Sequence, residues 1–493
     1  MVSLELRILL AFLVAYFSAV FVIPKLASIA RSIGLIDRPE RRKVHRVPRP
    51  LVGGIGIVIA ATFSAMLFVD WVGLRGLFLG LAVLLFIGFL DDFRQLDPRR
   101  KFIAQIVAAV LMMSFSKVYL VSFGDLLGCG EIVLPVCDAL IWAVTIFCLV
   151  GVINAINLID GLDGLAGGVA FVAFLTFGLH ASFADAPTLM LLNLAFAGAI
   201  LGFLRFNWSP SQVFMGDAGS LCLGFALGFM AIAMSQGEKP VFSPVVPLLV
   251  LAVPITDTVT VMSKRIVRGQ SPFQPDRYHF HHILMRYGMG RETAVKAILG
   301  ICMAMSALTL VVPFYRVPDW VLFGAYILYL VVYVVASLFI VSTMRLSFKY
   351  RRRFSNGNGT KLAKANLLVR LLLKSMDYAK ILRKDARYDV RLPLRCRLLD
   401  RGNEWEGTVE NISASGCMAE IPGLATLNNR MVLDVQVSLD NEVVVIPIAA
   451  EHIWLNAGGG SWYHGFRFVE MDQDKQPVFK KFLSRCRRHR NNR

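Results

Sequence analysis

The chain has 493 residues, 56% of them hydrophobic, a mean hydropathy of +0.60 and a formal net charge of +18. That apolar content, gathered in repeated runs about twenty residues long, excludes a single soluble globular domain and reads as a polytopic membrane protein. The positive charge lies in loops and at the C-terminal end with no basic groove element. It is therefore a topological and membrane-surface signal, and a nucleic acid polymer is excluded as partner.

Eleven apolar runs, centred near residues 15, 61, 82, 112, 147, 174, 197, 224, 252, 303 and 330, predict transmembrane helices, each long enough to cross about 30 Å of hydrocarbon. The first run follows Glu5 and Arg7 and has no small-residue cleavage site after it, so it reads as a retained helix and not a signal peptide. The loop behind it carries Arg31, Arg38, Arg41, Arg42, Lys43, Arg46 and Arg49, and alternate loops at 94–101 and 264–291 are basic too. These predict the cytoplasmic side. The loops at 70–75, 124–138, 181–188, 236–242 and 314–319 are poor in Lys and Arg and fall on the other side with the N-terminus. Eleven spans then place the C-terminal part in the cytoplasm. Cys129 and Cys137 are the one cysteine pair close together outside the cytoplasm, and nothing beyond that spacing supports a disulfide.

The polar motifs gather at the predicted cytoplasmic ends. GFLDDF sets Asp91 and Asp92 at the C-terminal end of the third run, where the helix dipole disfavours carboxylates. Residues 154–168, NAINLIDGLDGLAGG, place Asn154, Asn157, Asp160 and Asp163 at steps of three, toward one side of a helical turn and its exit loop. Oxygen ligands beside glycines that admit a phosphate suggest a magnesium and nucleotide site. Asp217, in FMGDAGS, opens the eighth run, where it is also suited to capping a helix. Asp257, in PITDTVTV, lies at a membrane edge where an unpaired charge is expensive, so a hydrogen-bonded structural role and a site role both fit.

The loop KRIVRGQSPFQPDRYHFHH offers Lys264, Arg265, Arg268 and Arg277 with His279, His281 and His282. Cations and hydrogen-bonding groups near an acidic cluster suit a diphosphate, whose two phosphates must be held while one bond breaks. A zinc site is the weaker reading, because no cysteine accompanies the histidines and the arginines repel a cation.

Past Met344 the charge run at 349–353 and SNGNGT predict a flexible tether. Residues 361–384 carry apolar positions at helical spacing among lysines and arginines and predict an amphipathic helix on the anionic leaflet, or one packed on its own domain. Short, partly alternating segments from 390 to 470 predict a small antiparallel β-barrel, and the basic residues 485–493 a solvated or lipid-facing tail. The division is thus 1–345, a basic linker with amphipathic helix at 346–384, and 385–493.

The series DD, NxxNxxDGxDGL, FMGDxGS and SPFxPDRxHxHH, in this order, resembles the polyprenyl-phosphate N-acetylhexosamine-1-phosphate transferase family across about residues 1–345. HxHH is similar to its N-acetylglucosamine-type branch, whereas the muramyl-pentapeptide branch carries three adjacent histidines. HRVPRPLVGG, residues 45–54, resembles the family's first cytoplasmic loop, without the lysine and GTPTMGG form of the muramyl branch. The resemblance implies transfer of a sugar 1-phosphate, an N-acetylhexosamine 1-phosphate, from a UDP-sugar to undecaprenyl phosphate, with release of UMP. It further implies Mg²⁺, with Mn²⁺ as a substitute, a bacterial inner membrane, and the first step of a lipid-linked cell-surface glycan.

On that resemblance Asp91 and Asp92 are the catalytic candidates, acting on the lipid phosphate, and Asp217 with Asn157 holds the metal. Asn154, Asp160, Asp163, Lys264, Arg265, Arg277, His279, His281, His282 and His45 are the substrate-binding candidates. In the C-terminal part, Arg387 and Arg391 as RxxxR, with Asn411, Ser413 and Gly416 in NISASG, resemble a PilZ domain over about residues 384–490, which implies cyclic di-GMP binding. Two competing functions are a catalytically inactive, membrane-tethered cyclic di-GMP receptor and a transporter. Intact acidic motifs oppose the first, and clustering at cytoplasmic ends instead of the midplane opposes the second. Which sugar is used, the sign of regulation, and whether the chain forms a homodimer are left open.

Overall fold

The computed structural model describes residues 3–37, 48–70, 72–135, 137–267, 269, 279–286, 289–354, 388–398, 404–414, 416–422, 430–439, 442–458, 461–472 and 474–491. The chain divides into two compact units, Met1–Ala379 and Lys380–Arg493.

The first unit is helical. Its elements are α1 (Leu4–Ile33), a short hairpin of β1 (Ile36–Asp37) with β2 (Arg49–Pro50), α2 (Gly53–Phe68), α3 (Arg75–Arg94), α4 (Pro98–Ser116), α5 (Asp138–Ile159), α6 (Leu165–Phe183) and α7 (Pro187–Asn207). There follow α8 (Gly216–Ser235), α9 (Val245–Val250), α10 (Ala252–Val267), α11 (Phe280–Arg286), α12 (Arg291–Leu310), α13 (Val312–Tyr315) and α14 (Asp319–Phe354). All eleven apolar runs fall in helices, but among the described residues eight helical stretches are long and apolar enough to cross a membrane. The chain is a multi-pass membrane protein. The other three apolar runs lie in helices of different build: α2 has 16 residues, α4 opens on the polar sequence PRRK, and the run near 252 is divided between α9 and α10. Pro254 explains the division, since it has no N–H to bond the carbonyl four residues back, at Val250.

The core is built on α8, most of whose residues are buried, with α2, α3 and α5 packed around it. Small residues permit this closeness. A Cβ on Gly54 would lie 2.0 Å from the Gly219 Cα, so only glycine on both helices allows α2 and α8 to meet. Backbone bonds then fix the entry to α8: Gly53 N–H donates to the Phe214 carbonyl and Gly54 N–H to that of Met215, each at 2.9 Å. Large apolar side chains such as Phe17, Phe21, Phe86 and Phe147 face outward, as lipid permits.

One tail expectation changes. The charge run at 349–353 continues α14 to Phe354 and is no tether. Lysine and arginine are good helix formers, and extending a formed helix is far easier than nucleating one. The tether's remaining residues and the amphipathic helix expected at 361–384 lie outside the described residues. Cys129 and Cys137 are separate exposed thiols.

The second unit is a closed antiparallel barrel of β3 (Tyr388–Leu398), β4 (Glu404–Ser413), β5 (Gly416–Glu420), β6 (Arg430–Leu439), β7 (Glu442–Gly458) and β8 (Ser461–Met471), in the order β3-β4-β5-β8-β7-β6. Strand alternation turns Met431, Leu433, Val435 and Val437 inward to meet Ile446, Ile448 and Ala450. The barrel is followed by α15 (Gln476–Asn491), which buries Phe479 and Phe482 in the barrel's core cluster and leaves Arg485, at the start of the basic ending, exposed.

Candidate active site

Asp217 is the hub. It stands in the first turn of α8, and its side chain keeps 32% of its surface exposed. Lys101 Nζ donates to Asp217 Oδ2 at 3.0 Å and to Asp91 Oδ2 at 2.9 Å, bridging the two carboxylates. Asn157 Nδ2 donates to Asp217 Oδ1 at 2.9 Å and to Ser220 Oγ at 2.8 Å. Three of the sequence motifs, separated by up to 126 residues, therefore meet within hydrogen-bonding distance.

The paired aspartates at the end of α3 have different partners. Asp91 accepts the Leu96 N–H at 2.7 Å and faces Lys101. Asp92 accepts the Asp217 N–H at 2.8 Å and the Ala218 N–H at 3.2 Å, so it caps α8 from another helix. This resolves the awkward placement of two carboxylates at a helix C-terminus: Asp92 lies against the positive N-terminal end of α8. Asp92 thus orients the backbone of Asp217, and the partly exposed groups at this point are Lys101 and Asp217, with Asp91 buried beneath Lys101.

Of the four residues at steps of three, only Asn157 bonds Asp217. Asn154 gives its amide to Gln105 Oε1 and to the Val150 carbonyl, each at 2.8 Å, and ties α5 to α4. Asp160 follows the last residue of α5, where burial, and behind it the charges of Asp217 and Asp163, push its carboxyl up to about 7. Asp163 Oδ2 accepts the Ser211 N–H at 3.2 Å, pinning this loop to the segment leading into Asp217. Asn207 adds a second tie, accepting from Gly164 N–H and donating to the Val213 carbonyl.

The histidine loop reaches the same place. A Cβ on Gly161 would stand 2.5 Å from His281 Nε2, so the glycine of NxxNxxDG is what admits that ring. His281 is buried between His279 and His282, and neither of its ring nitrogens has a hydrogen-bond partner among the described residues. Burial, then His282 beside it, lowers its pKa to about 3, which keeps the imidazole neutral. The expected cationic clamp is partly redirected: Lys264 donates to Ser337 Oγ of α14 at 3.3 Å, and Arg265 is buried in α10. His45, Arg268 and Arg277 lie outside the described residues.

Lys101 is the site residue that sequence reasoning missed, having been read only as part of a basic loop. Its available signal was local: Pro98 opens α4 behind an Asp97 cap, which puts Lys101 in the first turn, near the DD motif.

In the barrel, Asn411 and Ser413 end β4, and Gly416 opens β5. Ser413 Oγ donates to the Gly416 carbonyl at 3.0 Å and closes the hairpin, while the buried Asn411 Oδ1 has no partner among the described residues. Arg387 lies outside the described residues, and Arg391 is described as a residue of β3 without its side chain.

A family model described as glycosyl transferase family 4 matches residues 74–235, and a PilZ domain model matches residues 381–485. The undecaprenyl-phosphate alpha-N-acetylglucosaminyl 1-phosphate transferase of Escherichia coli (strain K12) is 34% identical over 344 residues, covering 68% of this chain and 93% of that one. A probable undecaprenyl-phosphate N-acetylglucosaminyl 1-phosphate transferase of Bacillus subtilis (strain 168) is 32% identical over 317 residues, 62% of this chain and 85% of that one. Among solved structures, the PilZ domain with c-di-GMP of YcgR from Escherichia coli is 16% identical and covers 22% of this chain and 95% of that chain, with a TM-score of 0.19. The assignment of the barrel rests on the family model.

Proposed function

Since the chain belongs to the undecaprenyl-phosphate N-acetylglucosaminyl 1-phosphate transferase family, with a PilZ domain at its C-terminal end, we propose that it moves N-acetylglucosamine 1-phosphate from a UDP-sugar to undecaprenyl phosphate at the cytoplasmic face of a bacterial inner membrane. UMP is the second product, and the lipid-linked sugar begins a cell-surface glycan. The observation that carries this reading is the convergence of Asp91, Lys101, Asn157 and Asp217 on one partly open point beside the histidine loop.

The donor set fits magnesium. No group of three or more His, Cys, Asp or Glu side chains among the described residues is arranged to hold an ion alone. Magnesium, however, usually takes one or two carboxylates together with phosphate and water oxygens. Asp217 supplies such a carboxylate, oriented by Asn157 and Asp92. When bound there, the ion supplies charge neutralisation at the diphosphate.

The remaining work falls to side chains. A phosphomonoester has a second pKa of about 6, so the lipid phosphate is largely dianionic near neutral pH and needs no strong base. The difficulty is to bring one anion onto another in line. Lys101 places a positive charge between Asp91 and Asp217, where the two phosphates meet, and Asp91 orients the acceptor phosphate or takes its last proton. Neutral His281, whose buried ring nitrogens have no partner among the described residues, suits the donor's diphosphate or nucleotide.

In membranes containing the chain, UDP-N-acetylglucosamine is expected to label a lipid product more strongly than other UDP-sugars. Equal labelling from UDP-N-acetylgalactosamine removes the sugar assignment. The PilZ domain binds cyclic di-GMP in this reading and alters turnover, and Arg387→Ala with Arg391→Ala should abolish that response. An identical response in the double variant rules out this route.

A further inference from the structure

Asp257 of α10 is only 2% exposed, yet it is a carboxylate far from Asp217's cluster in the chain. Its Oδ1 accepts the Phe280 N–H at 2.8 Å and the Tyr333 hydroxyl at 2.7 Å, and its Oδ2 faces His279 Nδ1 at 2.9 Å. Three donors from two other elements make the buried carboxylate tolerable, since without them desolvation would be costly. They also join α10, the start of α11 and α14 at one point. One turn further along α14, Ser337 accepts from Lys264, so α10 and α14 are tied twice.

This arrangement fixes more than packing. Donation from Nδ1–H to Asp257 sets the His279 ring and leaves Nε2 as its outward nitrogen. The Phe280 amide sets where α11 begins, and hence the rotation of His281. The His279 and His281 rings lie stacked, with centroids 5.9 Å apart and planes 7° apart, and His281 abuts Gly161.

We propose that Asp257 and Tyr333 are positioning residues for donor binding: through them α14 holds the histidine loop against the loop that follows α5. The inference rests on reading the histidine loop as the donor's diphosphate subsite. The chemistry concerned is recognition of a nucleoside diphosphate-linked group by preset imidazoles, whose misplacement by about 1 Å is enough to weaken binding.

Asp257→Asn keeps one acceptor oxygen but turns an amide donor toward His279 or Phe280, so one of the donors loses its partner. Purified full-length protein with this change should show a donor KM raised about tenfold with the acceptor KM little altered. Hydrogen exchange in residues 279–286 should quicken. Tyr333→Phe should act in the same direction by about threefold, and the two changes together should be less than additive. His279→Asn retains a donor toward Asp257 but removes Nε2, and so tests the subsite itself. A raised donor KM in His279→Asn with none in Asp257→Asn or Tyr333→Phe overturns the positioning role and leaves the subsite standing. An unchanged donor KM in all three overturns the subsite reading and the inference with it. A drop in melting temperature and kcat with no selective change in donor KM reduces the network to a structural one and also overturns the inference.

Discussion

Replacing Lys101 with methionine should lower the rate of lipid-linked sugar formation about 100-fold or more, without unfolding the protein. The ammonium lies 2.9 Å from Asp91 and 3.0 Å from Asp217. The Lys101 and Asp217 side chains are 25% and 32% exposed, and Asp91 is almost fully buried. Methionine fills the same volume but leaves two carboxylates facing each other without a cation between them. The donor diphosphate and the lipid phosphate would then approach a net negative site, and the penalty grows as the attacking and leaving phosphates draw together. The loss should therefore appear mainly in kcat. Arginine restores charge with different geometry, so Lys101→Arg should recover part of the activity. Steady-state kinetics on both variants, with thermal unfolding as the folding control, is the check. A methionine variant with near wild-type kcat removes Lys101 from the chemistry.

Asp217→Asn should abolish turnover at ordinary magnesium concentrations while preserving the site's shape. The backbone N–H of residue 217 still donates to Asp92 and the new amide oxygen still accepts from Asn157, whereas the amide nitrogen in place of Oδ2 no longer accepts from Lys101, which keeps its bond to Asp91. What changes is charge: a neutral amide is a much poorer ligand for a hard cation. A magnesium titration of product formation should show a loss of about 1,000-fold at low concentration, partly recovered as magnesium rises. A titration superimposable on that of the wild type assigns the ion to other groups.

Local patterns made some of this legible in the sequence. Asn157, Asp217, Asp91 and the histidine loop were recognisable because each sits in a short motif, and the barrel because its strands alternate at period two. What was hidden depends on contacts between distant segments. Lys101 gains meaning from Asp217, 116 residues away, and Asp92 from the backbone N–H groups of Asp217 and Ala218. Asn154 shares the spacing of Asn157 yet bonds Gln105, because spacing fixes a side of the helix but not the neighbour on that side. Helix ends were hidden for a related reason: hydropathy marks apolar runs, whereas helix ends follow caps and prolines such as Pro254 and the Asp97–Pro98 start of α4. The packing of Phe479 and Phe482 was hidden because it depends on a barrel built from strands earlier in the chain.

Transfer at the cluster around Asp217 would join a sugar phosphate to a lipid phosphate and free UMP in the same step. Purified protein should be given radiolabelled UDP-N-acetylglucosamine and Mg²⁺ with and without undecaprenyl phosphate, and both lipid-linked label and UMP should be counted. Equal amounts of the two products are expected, formed only when the lipid phosphate is present. UMP released without the lipid, or no labelled lipid when both substrates are supplied, would contradict it.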